Sequence, residues 1–392
     1  MRRTAVAALS AALLLAAVPP ARGADQPPVE IDVILSMAGP LTFLGQAEYA
    51  TLGALETNVN RRGGIRGRPV HFVFHDDKSE PQVAVQLVNA VLAKHPAIFL
   101  GSTSAASCLA MAPLVASGPV EFCLSPSIHP ARGGFVFSAS VDVRDCWIAL
   151  IRYFRERGLT RIAILTGTDL AGRDADVSLA TALDLPENKD RGITIVSHQH
   201  FNPTDLTVAA QIAQIKAANP QAAILWAAGT PFATLLRGAA EAGLDVPIGA
   251  SNANLTYVQM KQYASFLPKE LVFPGLPFLA RQASSRRARE VQAQFFEVCA
   301  AAGIRPDFLY NFAWDPGMIA IDAFRALGTG ATTEQVRSYI AGLHGYTGLS
   351  GDYDFRDGSQ RGLTERNITL MRWDTGKETW DAVSRPGGMP LR

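Results

Sequence analysis

The sequence predicts an α/β protein made of two doubly wound parallel-sheet lobes. Two observations carry this. Strand-like and helix-like segments alternate with short connections from residue 30 to residue 250, and the rhythm runs twice in succession. Such βαβα order calls for a parallel sheet covered by helices. The length of 392 residues also suits two lobes, at roughly 100–200 residues each.

The elements follow from pattern and punctuation. Glu30–Met37 reads as a strand, and Phe43–Arg62 as an amphipathic helix closed by Gly63-Gly64. Val70–His75 is a strand. Ser79 is the expected N-cap of a helix running to Lys94. Strand 97–100, helix 104–116 and strand 120–124 complete the first unit. The second unit has helices over 142–157, 173–183, 205–218 and 231–242. Its strands cover 161–166, 193–201, 222–227 and 247–250. Helices at 284–302, 316–327 and 333–341 come next, with no clear strands between them. The C-terminal part alternates in the β manner over 352–355, 367–373 and 379–383, with a turn at Asp374-Thr375-Gly376.

Composition excludes several classes. Hydrophobic residues make up 48% and charged residues 18%, enough for a packed core. A net charge of +1 leaves no basic excess for nucleic acid. The run Arg286-Arg287-Ala288-Arg289 sits in a helical pattern and reads as a solvated face. Residues 1–23 read as a secretory signal: Arg2 and Arg3, an apolar stretch from Ala5 to Val18, then Pro19-Pro20 and Ala21-Arg22-Gly23 before the cut. No other apolar run reaches membrane-spanning length. Export permits disulfides. Of Cys108, Cys123, Cys146 and Cys299, the pair Cys108–Cys123 lies on neighbouring elements and is preferred, with buried free thiols as the alternative.

Ordered motifs then run along nearly the whole chain. They are Ser36-Met37-Ala38-Gly39-Pro40 with Gly45 beyond it, Asn60-Arg61-Arg62-Gly63-Gly64-Ile65-Arg66-Gly67-Arg68-Pro69, and His75-Asp76-Asp77 at a strand end. Gly101 to Ser107, Ser125-Pro126-Ser127 and Gly348 to Phe355 with Gly358 follow. In this order the sequence resembles the type I periplasmic binding proteins, specifically the branched-chain amino-acid (Leu/Ile/Val) binding family of ABC transporters. The resemblance implies two lobes joined by three crossovers. The first lobe is expected over 24–141 and 275–348, and the second over 142–274 and 349–392. It also implies a small-molecule ligand buried between closing lobes and a membrane permease as partner. A monomer without cofactor or membrane insertion is expected.

Ligands of open parallel sheets sit beyond the carboxyl ends of the strands. That rule selects the small, hydroxyl-rich loop 101–107, whose amides and helix start suit a carboxylate. Carried over from the family, the anchor residues are Ser104, Ala105 and Ser107, then Ser127 and His129. The family commonly has a threonine where His129 stands. Phe43 and Leu44 occupy a loop able to cover an apolar ligand portion. In the second lobe Ala171-Gly172 and Gly229-Thr230 replace aromatic positions of the family. The loop Gly249 to Asn254, with Ser251 and Asn252, carries no acid. Thr230 and Asp169 are counted among the lining residues. Asp142, Asp145 and Asp169 are the remaining partners for an ammonium, each equally readable as a helix cap. A carboxylate, amide or aromatic acid therefore suits the residues as well as an amino acid does.

An enzyme is the main alternative, but G-x-S-x-G, Walker A and H-E-x-x-H motifs are missing. His198-Gln199-His200 has no evident third ligand and reads as an exposed strand edge, and no metal is expected. A periplasmic sensor of the same fold is the other alternative.

Overall fold

The computed structural model describes residues 27–189 and 192–391. The expected export signal lies outside the described residues. Two sheets organise the chain. The first is five-stranded and wholly parallel, in the order β2-β1-β3-β4-β5. It is built from β1 (Val29–Leu35), α1 (Thr42–Arg61), β2 (Val70–Asp76), α2 (Pro81–Leu92), β3 (Ile98–Leu100), α3 (Ala105–Met111), β4 (Val120–Cys123) and β5 (Val136–Ser138). β1 reads VEIDVIL and is buried at all but one position, as a central strand covered on both faces must be.

The second unit repeats the winding. It runs α4 (Val143–Glu156), β6 (Arg161–Gly167), α5 (Leu170–Asp184), the short α6 (Pro186–Lys189), β7 (Thr194–Phe201), α7 (Ala209–Ala217), β8 (Ala222–Trp226), α8 (Thr230–Glu241), β9 (Ile248–Ala250), α9 (Tyr257–Gln262) and β10 (Leu271–Gly275). The chain then returns to the first sheet with α10 (Arg286–Ala301), α11 (Asn311–Leu327) and α12 (Thr333–Ala341), where α11 packs on α1 and β3. A hairpin of β11 (His344–Thr347) and β12 (Asp352–Asp354) follows. Tyr353 of β12 donates to the carbonyl of Ala139 at 2.7 Å, and Ser138 N–H donates to Gln360. The hairpin thus lies against the end of the first sheet, and the last passage to the second sheet comes after Gly362. β13 (Thr369–Asp374) and β14 (Thr379–Ala382) finish the second sheet, antiparallel beside β10 in the order β14-β13-β10-β9-β8-β6-β7.

Several expectations are corrected. β5, β10 and β11 were not legible as strands; each is five residues or fewer, and β10 contains Pro274. Ser79 does not cap α2. It has φ of +62°, its hydroxyl donates to Ala38 and accepts from Leu41 N–H, and Glu80 precedes Pro81 at the helix start. α11 begins ahead of Pro316, because the 3-10 turn Phe308–Tyr310, capped by Asp307, feeds directly into it.

Cys108 of α3 and Cys123 of β4 are disulfide-bonded, while Cys146 and Cys299 are buried thiols. Among the described residues no helix is long and apolar enough to cross a membrane.

Candidate ligand-binding site

A cleft of about 1120 Å³ opens between the carboxyl ends of the two sheets. Both walls are built the same way. At the β1–α1 joint, a Cβ on Gly45 would fall 2.2 Å from the carbonyl oxygen of Ser36. At the β6–α5 joint, one on Gly172 would fall 1.9 Å from that of Gly167. Only glycine lets each helix start this close to its strand end, so both joints present their first turns to the cleft.

On the first-sheet side, Phe43, Leu44, Ser104, Ala105 and Ser127 line the space. The loop after β3 is held rigidly from behind. Thr103 Oγ1 donates to Glu48 and accepts from Ser36 N–H, and Ser102 Oγ donates to Asp77. Burial raises the Glu48 carboxyl to about 8, against the hydrogen bond from Thr103. Ser104 caps α3, accepting from Ser107 N–H at 3.3 Å.

On the second-sheet side, the lining includes Asp169, Trp226, Gly229, Thr230, Ser251 and Asn252. Asn254 pins the loop after β8: its Nδ2 donates to Ala227 at 2.7 Å and its Oδ1 accepts from Gly229 N–H at 3.1 Å. Tyr263 also donates to the Gly229 carbonyl. Trp226 closes the floor against buried Trp147, with ring centroids 5.0 Å apart.

Eight of the sequence-selected positions therefore meet in one cleft: Phe43, Ser104, Ala105, Ser127, Asp169, Thr230, Ser251 and Asn252. Two do not. Ser107 is fully buried behind the loop, and its hydroxyl has no hydrogen-bond partner among the described residues. His129 lies outside the lining, clamped between Asp174 at 2.8 Å and Asp142 at 3.6 Å. The Asn252 amide is turned toward Cys146 Sγ at 3.6 Å.

The charges decide what the cleft accommodates. Asp142 and Asp145 are not in its lining; Asp142 caps α4 and pairs with Arg361 at 3.4 Å. Asp169 accepts from Gly172 N–H at 2.9 Å as the cap of α5. Asp307 caps the turn before α11, and burial raises its carboxyl to about 7. Both acids of the lining are thus committed to helix starts. Arg237 is different. It stands exposed at the rim, 5.4 Å from the Phe266 ring centroid, with no hydrogen bond or ion pair among the described residues. Sequence reasoning missed it. Its signal was present, since it lies seven residues after Thr230 on α8, close to two helical turns.

Two doubly wound sheets with a cleft at their facing carboxyl ends define the class of type I periplasmic binding proteins. Comparison with known proteins narrows this. A family model described as periplasmic binding protein matches residues 28–378, and the chain belongs to that family. The Leu/Ile/Val-binding protein of Escherichia coli K12 is 30% identical over 64 residues, which is 16% of this chain and 17% of the relative. The matched segment thus spans about a sixth of that relative's length. Among solved structures, an extracellular ligand-binding receptor from Rhodopseudomonas palustris HaA2 has a TM-score of 0.78 at 20% identity, covering 91% of this chain and 100% of that one. An ABC transporter solute-binding protein from R. palustris, in complex with benzoate, has a TM-score of 0.76 at 17% identity, with 93% and 97% covered. The branched-chain amino acid transporter substrate binding protein LivJ from Streptococcus pneumoniae, in complex with isoleucine, has a TM-score of 0.73 at 15% identity, with 91% and 98% covered. At these identities the structures establish the shared fold.

Proposed function

We propose that this chain is the exported substrate-binding component of an ABC importer and that its ligand is a small carboxylate with an apolar body. A membrane permease would read the closed form, and the ligand would be released unchanged. One observation carries the ligand class. Among the described lining residues the uncommitted charge is the cation Arg237, while Asp169 and Asp307 are spent on helix starts. An ammonium buried here would have to share Asp169 or Asp307 with the helix start that each already caps, which is costly. Arg237 from α8 and the Ser127 hydroxyl on the opposite wall are the donors the cleft offers a carboxylate. Phe43, Trp226 and Phe266 would cover the apolar part.

A thermal-shift screen tests this, because a ligand that binds only the folded state raises apparent stability by about 2.7 kcal/mol at a hundredfold excess over Kd. Aromatic and branched aliphatic carboxylates are expected to raise the melting temperature, and zwitterionic amino acids are not. Tighter binding of isoleucine than of benzoate and its homologues would reverse the ligand class. Recovery of a chemically altered ligand would reverse the choice of a carrier over an enzyme. Export predicts processing between Gly23 and Ala24, read by N-terminal sequencing of the secreted protein.

A further inference from the structure

His198 and His200 lie two apart on β7, the edge strand of the second sheet, so their side chains leave the same face. The tertiary structure brings a third group to them. Asp176 of α5 places Oδ1 3.0 Å from His198 Nε2 and Oδ2 2.9 Å from His200 Nε2. The two imidazoles face each other with centroids 4.7 Å apart. Thr166 Oγ1 donates to Asp176 Oδ1 at 2.7 Å and fixes the carboxylate from behind. All three groups are partly exposed, with side-chain exposures of 32%, 47% and 27% for His198, His200 and Asp176. Water therefore reaches the cluster.

We propose that His198, His200 and Asp176 form a site for a single divalent ion of borderline softness, of the zinc class, with water in the fourth position. Two imidazole nitrogens and one carboxylate oxygen are a zinc donor set. A tetrahedral ion bound at about 2.0–2.1 Å needs its donors about 3.3 Å apart. Each Nε2 stands 2.9–3.0 Å from an oxygen of Asp176, and the three ligand atoms lie within 4.8 Å of one another, so an ion enters by a small rearrangement of the cluster. Each ring then carries its proton on Nδ1 and offers the Nε2 lone pair. The Thr166 hydroxyl supplies the outer hydrogen bond that orients a ligating carboxylate. Imidazole nitrogens favour zinc, nickel or copper over magnesium or calcium. The ion would fasten α5 to β7. α5 opens into the cleft at Leu170–Gly172, and Phe201, next to His200, also lines it. The site thus braces one wall of the cleft from outside and is independent of what the cleft binds.

The test is calorimetric titration of zinc chloride into the untagged protein after chelator treatment and dialysis. One ion per chain is expected, with a rise in melting temperature reversed by chelator. H198A and H200A are each expected to weaken zinc at least tenfold, while His71→Ala, on the first sheet, is expected to change nothing. Cobalt substitution adds a visible absorption band that the double variant lacks. Circular dichroism of the variants separates loss of the site from loss of the fold. No binding at millimolar zinc, unchanged affinity in the folded double variant, or magnesium binding as tightly as zinc would each overturn the proposal.

Discussion

His129 Nε2, beyond the last residue of β4, lies 2.8 Å from Asp174 Oδ1 in α5, so one ion pair joins the two sides of the cleft. Asp142 Oδ2 stands 3.6 Å from the other ring nitrogen. The ion pairs with Asp142 and then Asp174 raise the imidazole to about 9, against the cost of its partial burial. The sign follows. A cation whose folded value exceeds its ordinary value near 6.5 contributes stability fully below that ordinary value, and loses it as pH rises through about 9. His129 is more than half exposed, which screens the magnitude. Melting temperatures of the protein and of His129→Gln are therefore expected to differ at pH 6 and to converge above about pH 9. A difference that grows toward alkaline pH would reject the clasp.

Arg237 is expected to select for ligand charge. A hydrogen bond to a charged group contributes about 1.5–3 kcal/mol, and each 1.4 kcal/mol is a factor of ten. Arg237→Gln should weaken a carboxylate by tenfold or more and leave the amide of the same shape within a few-fold. Ser127→Ala should act in the same direction from the opposite wall. Titration of both ligands against each variant gives the ratio. Equal losses for acid and amide would mean that Arg237 supplies packing only.

Phe43 and Gly229 face each other across the cleft. A Cβ on Gly229 would lie 3.6 Å from Phe43 Cε1, so there is room for a methyl group. The backbone is the obstacle: Gly229 has φ of +66° and ψ of −138°, territory open mainly to glycine. Gly229→Ala is expected to cost about 1–3 kcal/mol in urea unfolding. Phe43→Ala, in contrast, should leave the unliganded midpoint nearly unchanged and weaken an apolar ligand. Swapped outcomes would show that the steric reading of this contact is wrong.

The Cys108–Cys123 disulfide closes a loop with a sequence separation of 15 and ties α3 to the end of β4. Loop-closure entropy gives a cross-link of this size about 3 kcal/mol. The double variant Cys108→Ala, Cys123→Ala should lose about that much in denaturant unfolding, and reductant should then have no further effect on it. A variant as stable as the parent would place the stabilisation elsewhere.

Local pattern by itself determined the βα alternation, the two windings and the strand-end loops. These follow from apolar periodicity, glycine closures and caps, which neighbouring residues impose on one another. It also put Ser104, Ser127, Thr230 and Ser251 at strand ends, and strand ends are where an open parallel sheet leaves room for a ligand. Tertiary structure alone decided the roles of side chains that meet partners far along the chain. His129 was read as a ligand group, and it became an ion-paired clasp because packing brought Asp174 to it. Ser107 sits in the right loop but on its buried face. His198 and His200 had no visible third partner, since Asp176 approaches them from a separate helix. β10 could be recognised as a strand only through its pairing with β9 and β13. Periodicity is a property of adjacent residues, whereas a charge pair, a metal cluster or a short strand needs contacts that exist only once distant segments pack.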